Sequence, residues 1–375
     1  MNQAPPPTRL REYIKELLPW AHGHQLNALT TFVAAIFDKQ TGCQAALART
    51  LGNQEAALKR LSRLLHNERL KPQDLAEAVC RQALGQLPRA GQVRLTIDWT
   101  SEADQHLLVV SLVVGRRAVP IFWRAYDQRV LKGRMRRYEL AVVKRACKLI
   151  FSYVSPRRVR LTADRGFADD GLFALLDRLR VRFVIRVKGC VKVCRRGRWV
   201  KLNRLGFAGN ARHHGLGHIQ YCQRSPCRLW ITMSRARDRR RQWGIWYLVS
   251  NRGLPARRAA AEYARRGCCE EGFGDSKWWL GFKQSRVGRI AAWSRLFGLF
   301  VIALLALTTL GTALLLPGDA ITRRLLRRVA SRRRGRCELS LTAATLSLLQ
   351  QDRGLLEYLS PFTKFKLEVT LSNVS

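Results

Sequence analysis

The order of elements legible in the sequence predicts a mixed α/β protein, a sheet of parallel and antiparallel strands layered with helices. Three observations carry that expectation. Up to about residue 88, apolar residues recur every three to four positions. Between 92 and 187, three strand-like runs are followed by helix, strand, helix, strand. After 190, a second series of short strand-like runs gives way to renewed helix.

The first 88 residues read as helices broken at Gly23, Gly42, Gly52 and Pro72. Within them, Cys43 to Leu51 and Gln54 to Leu65 flank a Gly52-Asn53 turn, and the second segment carries Lys59, Arg60 and Arg63. That pattern fits a helix-turn-helix reader of DNA, and equally a plain helical hairpin with a solvated basic face. Next come strands over Val93 to Asp98, His106 to Gly115 and Ala118 to Trp123, with a hairpin turn at Gly115-Arg116-Arg117. A helix from Tyr138 to Tyr153 carries Leu140, Val143, Cys147, Ile150 and Val154 on one face. A strand Val159 to Asp164, a helix Gly171 to Leu179 and a strand Arg182 to Val187 complete this stretch. Residues 190–250 read as a β insertion with strands at Cys190 to Leu202, His218 to Cys222, Arg228 to Ser234 and Gln242 to Ser250. The chain is then helical to about Leu316, and a basic region holding Arg323, Arg324, Arg327, Arg328 and Arg332 to Arg336 closes it.

Composition narrows the function. The 375 residues include 68 Lys and Arg against 26 Asp and Glu, a formal net charge of +42, and 47% are hydrophobic. Enough apolar material for a large core places this charge on a folded body and not on a disordered tail. An acidic or neutral metabolic enzyme is not the default class. The expected partner is a long polyanion, nucleic acid first and an anionic membrane second. Met1 to Trp20 lacks the apolar stretch of a secretory signal, so a cytoplasmic protein with reduced thiols is expected. Cys190, Cys194, Cys222 and Cys227, with His213, His214 and His218 between them, are spaced less like a zinc knuckle than like ordinary strand cysteines. Leu296 to Gly318 is long and apolar enough for a bilayer, but its glycines and threonines favour a buried core helix over a membrane anchor.

In a chain poor in carboxylates, Asp98 and Asp164 stand at equivalent places, each at the end of an apolar strand: Leu95-Thr-Ile-Asp98 and Leu161-Thr-Ala-Asp164. Singly, each also fits a helix cap or turn residue. Taken together, on neighbouring central strands, they would converge and offer oxygen ligands to Mg²⁺. Tyr263, Arg266, Glu270 and Lys277 fall at offsets that place all four within about 60° on one helix. A solvated face with salt bridges would look similar, but this stripe directly precedes the most apolar segment of the chain.

Asp98, Asp164 and Glu270, with Tyr263-x₂-Arg266-x₃-Glu270-x₆-Lys277, resemble the DDE transposases of the insertion-sequence-4 family and their YREK signature. Thr162-Ala-Asp-Arg-Gly-Phe167, Phe183 to Gly189 and a β insertion before the glutamate resemble them as well. The chain departs from the family at Gly267-Cys268-Cys269 and at Gly272 and Gly274, which weaken a helix. The resemblance implies an RNase H-like catalytic core over 89–189 and 251–318 with the β domain 190–250 inserted. A helical DNA-binding region, 1–88, and a basic C-terminal region, 319–375, would flank it.

The resemblance further implies that Asp98, Asp164 and Glu270 ligate two Mg²⁺ ions, with Mn²⁺ able to substitute, and cut and join double-stranded DNA. Tyr263, Arg266 and Lys277 would hold phosphates of the transposon end. Trp278 and Trp279 would hold an unstacked base, although two tryptophans beside an apolar helix also suit a core. Glu271 points about 100° away from the stripe and is the less suited ligand. The basic runs Arg134 to Arg137, Arg195-Arg196, Arg237 to Arg241 and Arg332 to Arg336 would track the DNA backbone. A homodimer in a synaptic complex is implied, acting in the bacterial cytoplasm at the nucleoid. The alternatives are an inactive or domesticated transposase-derived DNA-binding protein, another RNase H-like nuclease, and a basic membrane-surface protein.

Overall fold

The structure is a computed structural model that describes residues 7–207, 210–237, 242–274, 276, 280–330, 337 and 339–367. Among them are thirteen α-helices and ten strands, parallel and antiparallel, so the mixed α/β expectation holds. The chain forms two compact units. One comprises residues 1–90, 99–138 and 270–375, the other 91–98 and 139–269.

The first unit is built around one long helix. Helices α1 (Thr8–Leu17), α2 (Gly23–Lys39), α3 (Gln44–Arg49), α4 (Gln54–Leu65) and α5 (Pro72–Gly85) precede the hairpin of β2 (Gln105–Val114) and β3 (Arg117–Asp127). The break expected at Gly23 is present: α1 ends at Leu17 and Gly23 opens the next helix. The α3–α4 pair is present, with Asn53 capping α4 by accepting from the Ala56 N–H. A short α6 (Gln128–Leu131) follows.

The central α11 (Ile290–Leu315), long and apolar enough to cross a bilayer, is buried along nearly its whole length by protein, the setting of a core helix. Trp123 of β3 donates to Ser294 at 3.2 Å and meets Phe297 edge-on. Arg295 is buried and donates to the carbonyls of Leu70 and Leu65 at 2.6 and 2.8 Å, which ties α11 to the C-terminus of α4 and the loop after it. Tyr13, Gln86 and Thr309 form a buried hydrogen-bonded cluster, so these three polar groups are satisfied inside the core. Helices α12 (Ala320–Arg328) and α13 (Leu341–Gln351) complete the unit. At Gly311, a Cβ would stand 2.3 Å from Thr345 Oγ1 of α13, so glycine permits the approach of the two helices.

The second unit is a sheet with helices. Its strand order is β1-β4-β5-β10-β9-β8-β6-β7, where β1 is Val93–Glu102, β4 Val159–Ala163, β5 Arg182–Val187, β6 Lys192–Arg195 and β7 Arg198–Lys201. The last three are β8 (His213–Tyr221), β9 (Cys227–Arg237) and β10 (Trp243–Ser250). β1, β4 and β5 run parallel, and from β10 onwards the pairing is antiparallel. Helices α7 (Met135–Phe151) and α8 (Asp170–Arg178) are the crossovers that parallel neighbours require.

Several expectations need correction. β1 continues to Glu102, so Asp98 lies inside a strand and not at its end. The single strand expected over Cys190 to Leu202 is the hairpin β6–β7, turning at Arg196 and Gly197, both in the left-handed region. The strands of 190–250, expected as an inserted β domain, continue the sheet, because β10 pairs with β5 from Tyr247↔Val187 to Ser250↔Val184. On α7 the buried face is Glu139, Val142, Val143, Ala146, Cys147 and Ile150, with Leu140 only half-buried.

Candidate active site

Two strands with the same sequence pattern lay the foundation. Val93-Arg-Leu-Thr-Ile-Asp98 and Val159-Arg-Leu-Thr-Ala-Asp164 pair in parallel and in register, Arg94↔Arg160, Thr96↔Thr162 and Ile97↔Ala163. Side chains alternate along a strand, so Arg, Thr and Asp of each strand share one face. The next residues after the last registered pair are Asp98 and Asp164. The expected neighbour relation of the first and fourth strands is therefore observed, and it sets the two carboxylates side by side.

Over this polar face lies α9 (Ala256–Ala264). Its alanines favour helix and keep the side facing the sheet small. Ala259, Ala260 and Tyr263 pack on Val184 and Leu248 of β5 and β10, and Trp246 meets the Tyr263 ring edge-on at 4.9 Å. Glu262, buried, accepts from Arg94 at 3.1 Å and stands 2.8 Å from Arg160 Nη1, closing an Arg-Glu-Arg triad on the Arg94↔Arg160 pair. Two arginines facing each other on neighbouring strands would repel. The single carboxylate from α9 offsets this and so fixes where the helix sits.

With α9 so held, its next residues reach the aspartates. The Tyr263 hydroxyl donates to Asp164 Oδ1 at 3.0 Å, and Arg266 Nη2 donates to Asp98 Oδ2 at 2.6 Å, both side chains of this ion pair being mostly buried at 14% and 17% exposure. Burial pushes the Asp164 carboxyl up. The Arg165 backbone N–H, the Arg266 cation, the Tyr263 hydroxyl and the Arg186 cation outweigh it and hold Asp164 below the usual carboxylate range. Burial raises the Tyr263 phenol, with the Asp164 charge adding to it, so Tyr263 remains a donor at neutral pH.

The helix expected to carry Tyr263 through Lys277 is not continuous. α9 ends at Ala264, a turn takes Arg265 and Arg266, and α10 spans Gly267–Gly274. The turn is tightened by i to i−3 bonds: Arg265 N–H to Glu262 O, Arg266 N–H to Tyr263 O, Cys268 N–H to Arg265 O and Cys269 N–H to Arg266 O. This tightening falls at the glycine and cysteines where the sequence departs from the resembled family, and it ends the simple 100° stripe. Glu270 lies in α10, half-buried, at the start of that helix's portion in the first unit. The glutamate beside it, Glu271, is committed elsewhere, with its carboxylate 2.7 Å from Arg117 of β3. Gly272, a poor helix residue by propensity, is required there: a Cβ would come 2.1 Å from the Ala118 carbonyl oxygen. Lys277, Trp278 and Trp279 lie outside the described residues, as do Arg239 to Arg241 and Arg332 to Arg336.

The carboxylate oxygens of Asp98 and Asp164 are hard donors, and Asp164 is held ionised, which suits a divalent cation. Among the described residues, however, no three His, Cys, Asp or Glu side chains converge closely enough to hold one metal ion. That covers the cysteines and histidines of the β strands. His213 instead bonds Ser234, and His218 stacks on Trp230.

Sequence reasoning missed Arg94, Arg160, Glu262 and Arg186. The signal was available for the first two, an arginine at the second place of both Val-Arg-Leu-Thr repeats, in strands otherwise apolar. Glu262 carries no local mark, because only the fold shows which charges it meets.

A half-buried carboxylate pair on parallel strands, covered by a helix that brings a phenol and a guanidinium, defines a polar site suited to cation and phosphate chemistry. The family model for the transposase DDE domain matches residues 132–305, just under half of the chain, and supports a DDE transposase. The matched span holds Asp164, Tyr263, Arg266 and Glu270 and leaves Asp98 before it. No curated protein matches the chain.

Proposed function

We propose that this chain is a transposase of the insertion-sequence-4 type, which binds the terminal inverted repeats of its element and cuts and rejoins DNA strands. The observation that carries this reading is the pairing of Tyr263 with Asp164 and of Arg266 with Asp98, two members of the Tyr-x₂-Arg-x₃-Glu motif on the two aspartates. Asp98, Asp164 and Glu270 are assigned as the catalytic carboxylates, and the core as RNase H-like.

In this reading Arg266 holds the Asp98 charge and, with a phosphodiester present, offers its remaining N–H groups to a phosphate oxygen. Tyr263 orients Asp164 and keeps it from taking a proton. The Arg94–Glu262–Arg160 triad keeps both in place. Two Mg²⁺ ions held by Asp98, Asp164 and Glu270, with Mn²⁺ able to substitute, would supply an activated hydroxyl and stabilise the leaving oxygen. Lys277 is assigned to the same phosphates, Trp278 and Trp279 to an unstacked base, and the exposed basic face of α4 to the inverted repeats. The working form is a homodimer holding two element ends in the cytoplasm at the nucleoid.

The test incubates purified protein and Mg²⁺ with labelled DNA carrying the repeats that flank its own gene, beside Asp164→Asn. Nicking at the repeat boundary by the wild type alone supports the reading. Binding without cutting by either protein supports instead an inactive, transposase-derived DNA-binding protein, a reading favoured by the turn at Arg265-Arg266 that breaks the helix.

A further inference from the structure

A cleft of about 560 Å³ in the second unit is lined by Arg157, Asp177, Arg180, Arg182, Asn251 and Arg252. It opens at the N-terminal end of β5 and before β4, whereas Asp98 and Asp164 belong to the C-terminal ends of the parallel strands. The lengths of β4 and β5, at about 3.3 Å per residue, separate the two places by roughly 15–20 Å. A ligand in the cleft would therefore be distinct from one at the carboxylates.

Its floor is built. Asn251 accepts from the Phe183 N–H at 3.2 Å and donates to the Val181 carbonyl at 2.9 Å and to Asp177 Oδ1 at 3.3 Å. This pins the end of β10 to the turn between α8 and β5. In that turn Arg180 has φ +56°, a left-handed backbone that glycine adopts more cheaply. The fold holds an arginine there against backbone preference, beside three further arginines and a single carboxylate. Four guanidiniums around one concavity repel one another until an anion enters, and their planar forks match phosphate oxygens.

We propose that this cleft is a phosphate-binding site, taking neighbouring phosphates of a second DNA segment while the first lies at the carboxylates. The proposal rests on the DNA-cutting reading only for the identity of that ligand; the same chemistry would take a free polyphosphate.

The test uses the full chain. One variant carries Arg157→Gln, Arg180→Gln, Arg182→Gln and Arg252→Gln. A charge-matched control carries Arg69→Gln, Arg81→Gln, Arg89→Gln and Arg286→Gln, four exposed arginines elsewhere. Circular dichroism and melting confirm that both fold. The first readout is the slope of log K against log salt for a random-sequence duplex, which falls by about 0.9 for each phosphate no longer neutralised. The second is calorimetric binding of inorganic tripolyphosphate.

A slope lowered by about 3 in the cleft variant, against at most about 1 in the control, supports the site with DNA as its ligand. A control-like slope with tripolyphosphate bound by the wild type and lost in the cleft variant supports the site with a free polyphosphate. A control-like slope together with unchanged tripolyphosphate behaviour overturns the proposal. Cleavage at the element end, run alongside, is read separately: its absence in the wild type refutes the transposase reading and leaves the slope to decide the cleft.

Discussion

Glu262→Gln isolates the role of the buried triad. The change keeps size and hydrogen-bonding capacity but removes the one negative charge between Arg94 and Arg160, whose side chains are 14% and 4% exposed. Breaking a buried ion pair from one side costs about 3–5 kcal/mol, because it leaves buried charge uncompensated. The partial exposure of Arg94 argues for the lower end, about 3 kcal/mol. In a unit of this size that corresponds to a melting temperature lower by about 10 °C, at roughly 2–4 °C per kcal/mol. Replacing the whole triad, as Arg94→Met, Arg160→Met and Glu262→Leu, removes all three charges and is expected to stay within about 1 kcal/mol of the wild type. On the proposed function its DNA cleavage should nevertheless fall, since the triad no longer fixes α9 and only packing and their own bonds to the aspartates place Tyr263 and Arg266.

The pH dependence follows from the same triad. Burial pushes the Glu262 carboxyl up, but Arg94 and Arg160 hold it below its ordinary value. The unfolded chain thus takes up this proton at higher pH than the folded one. The contribution to stability is fully present above the unfolded value of about 4.3 and is lost as pH falls through the folded one. The gap in melting temperature between wild type and Glu262→Gln should therefore be constant from pH 7 to 5 and shrink below. Scanning calorimetry across pH measures it. A single variant melting within about 2 °C of the wild type at pH 7, or a triple variant as unstable as the single one, would refute the reasoning.

Two other substitutions test local geometry. Tyr263→Phe keeps the ring against Trp246 and removes only the donor to Asp164. It should cost about 1–2 kcal/mol and lower cleavage about tenfold, and unchanged kinetics would remove Tyr263 from the site. Gly272→Ala should destabilise by about 1–3 kcal/mol through its clash with the Ala118 carbonyl. Gly274→Ala, with nothing within 4 Å of the added methyl, should be neutral or stabilising by up to about 1 kcal/mol. Thermal melts of the pair decide whether the sign differs.

What the sequence determined by itself was mostly local. Strand periodicity placed β4 and β5 nearly to the residue, and the repeated Leu-Thr-x-Asp pattern singled out Asp98 and Asp164 as equivalent before any register was known. Alternation and apolar runs depend on near neighbours in the chain, so they survive without a fold. The length of β1 did not, because its last residues, past the apolar run, are strand through pairing and not through composition. The break after Ala264 was hidden as well: a 100° stripe assumes an unbroken helix, and three-residue hydrogen bonds at Arg265-Arg266 end that assumption. Gly272 read as a defect until the approach of Ala118 explained it. Only tertiary structure could decide that Glu262 serves Arg94 and Arg160, 168 and 102 residues earlier in the chain, because a charge is stabilised by what folding brings beside it and not by its sequence neighbours.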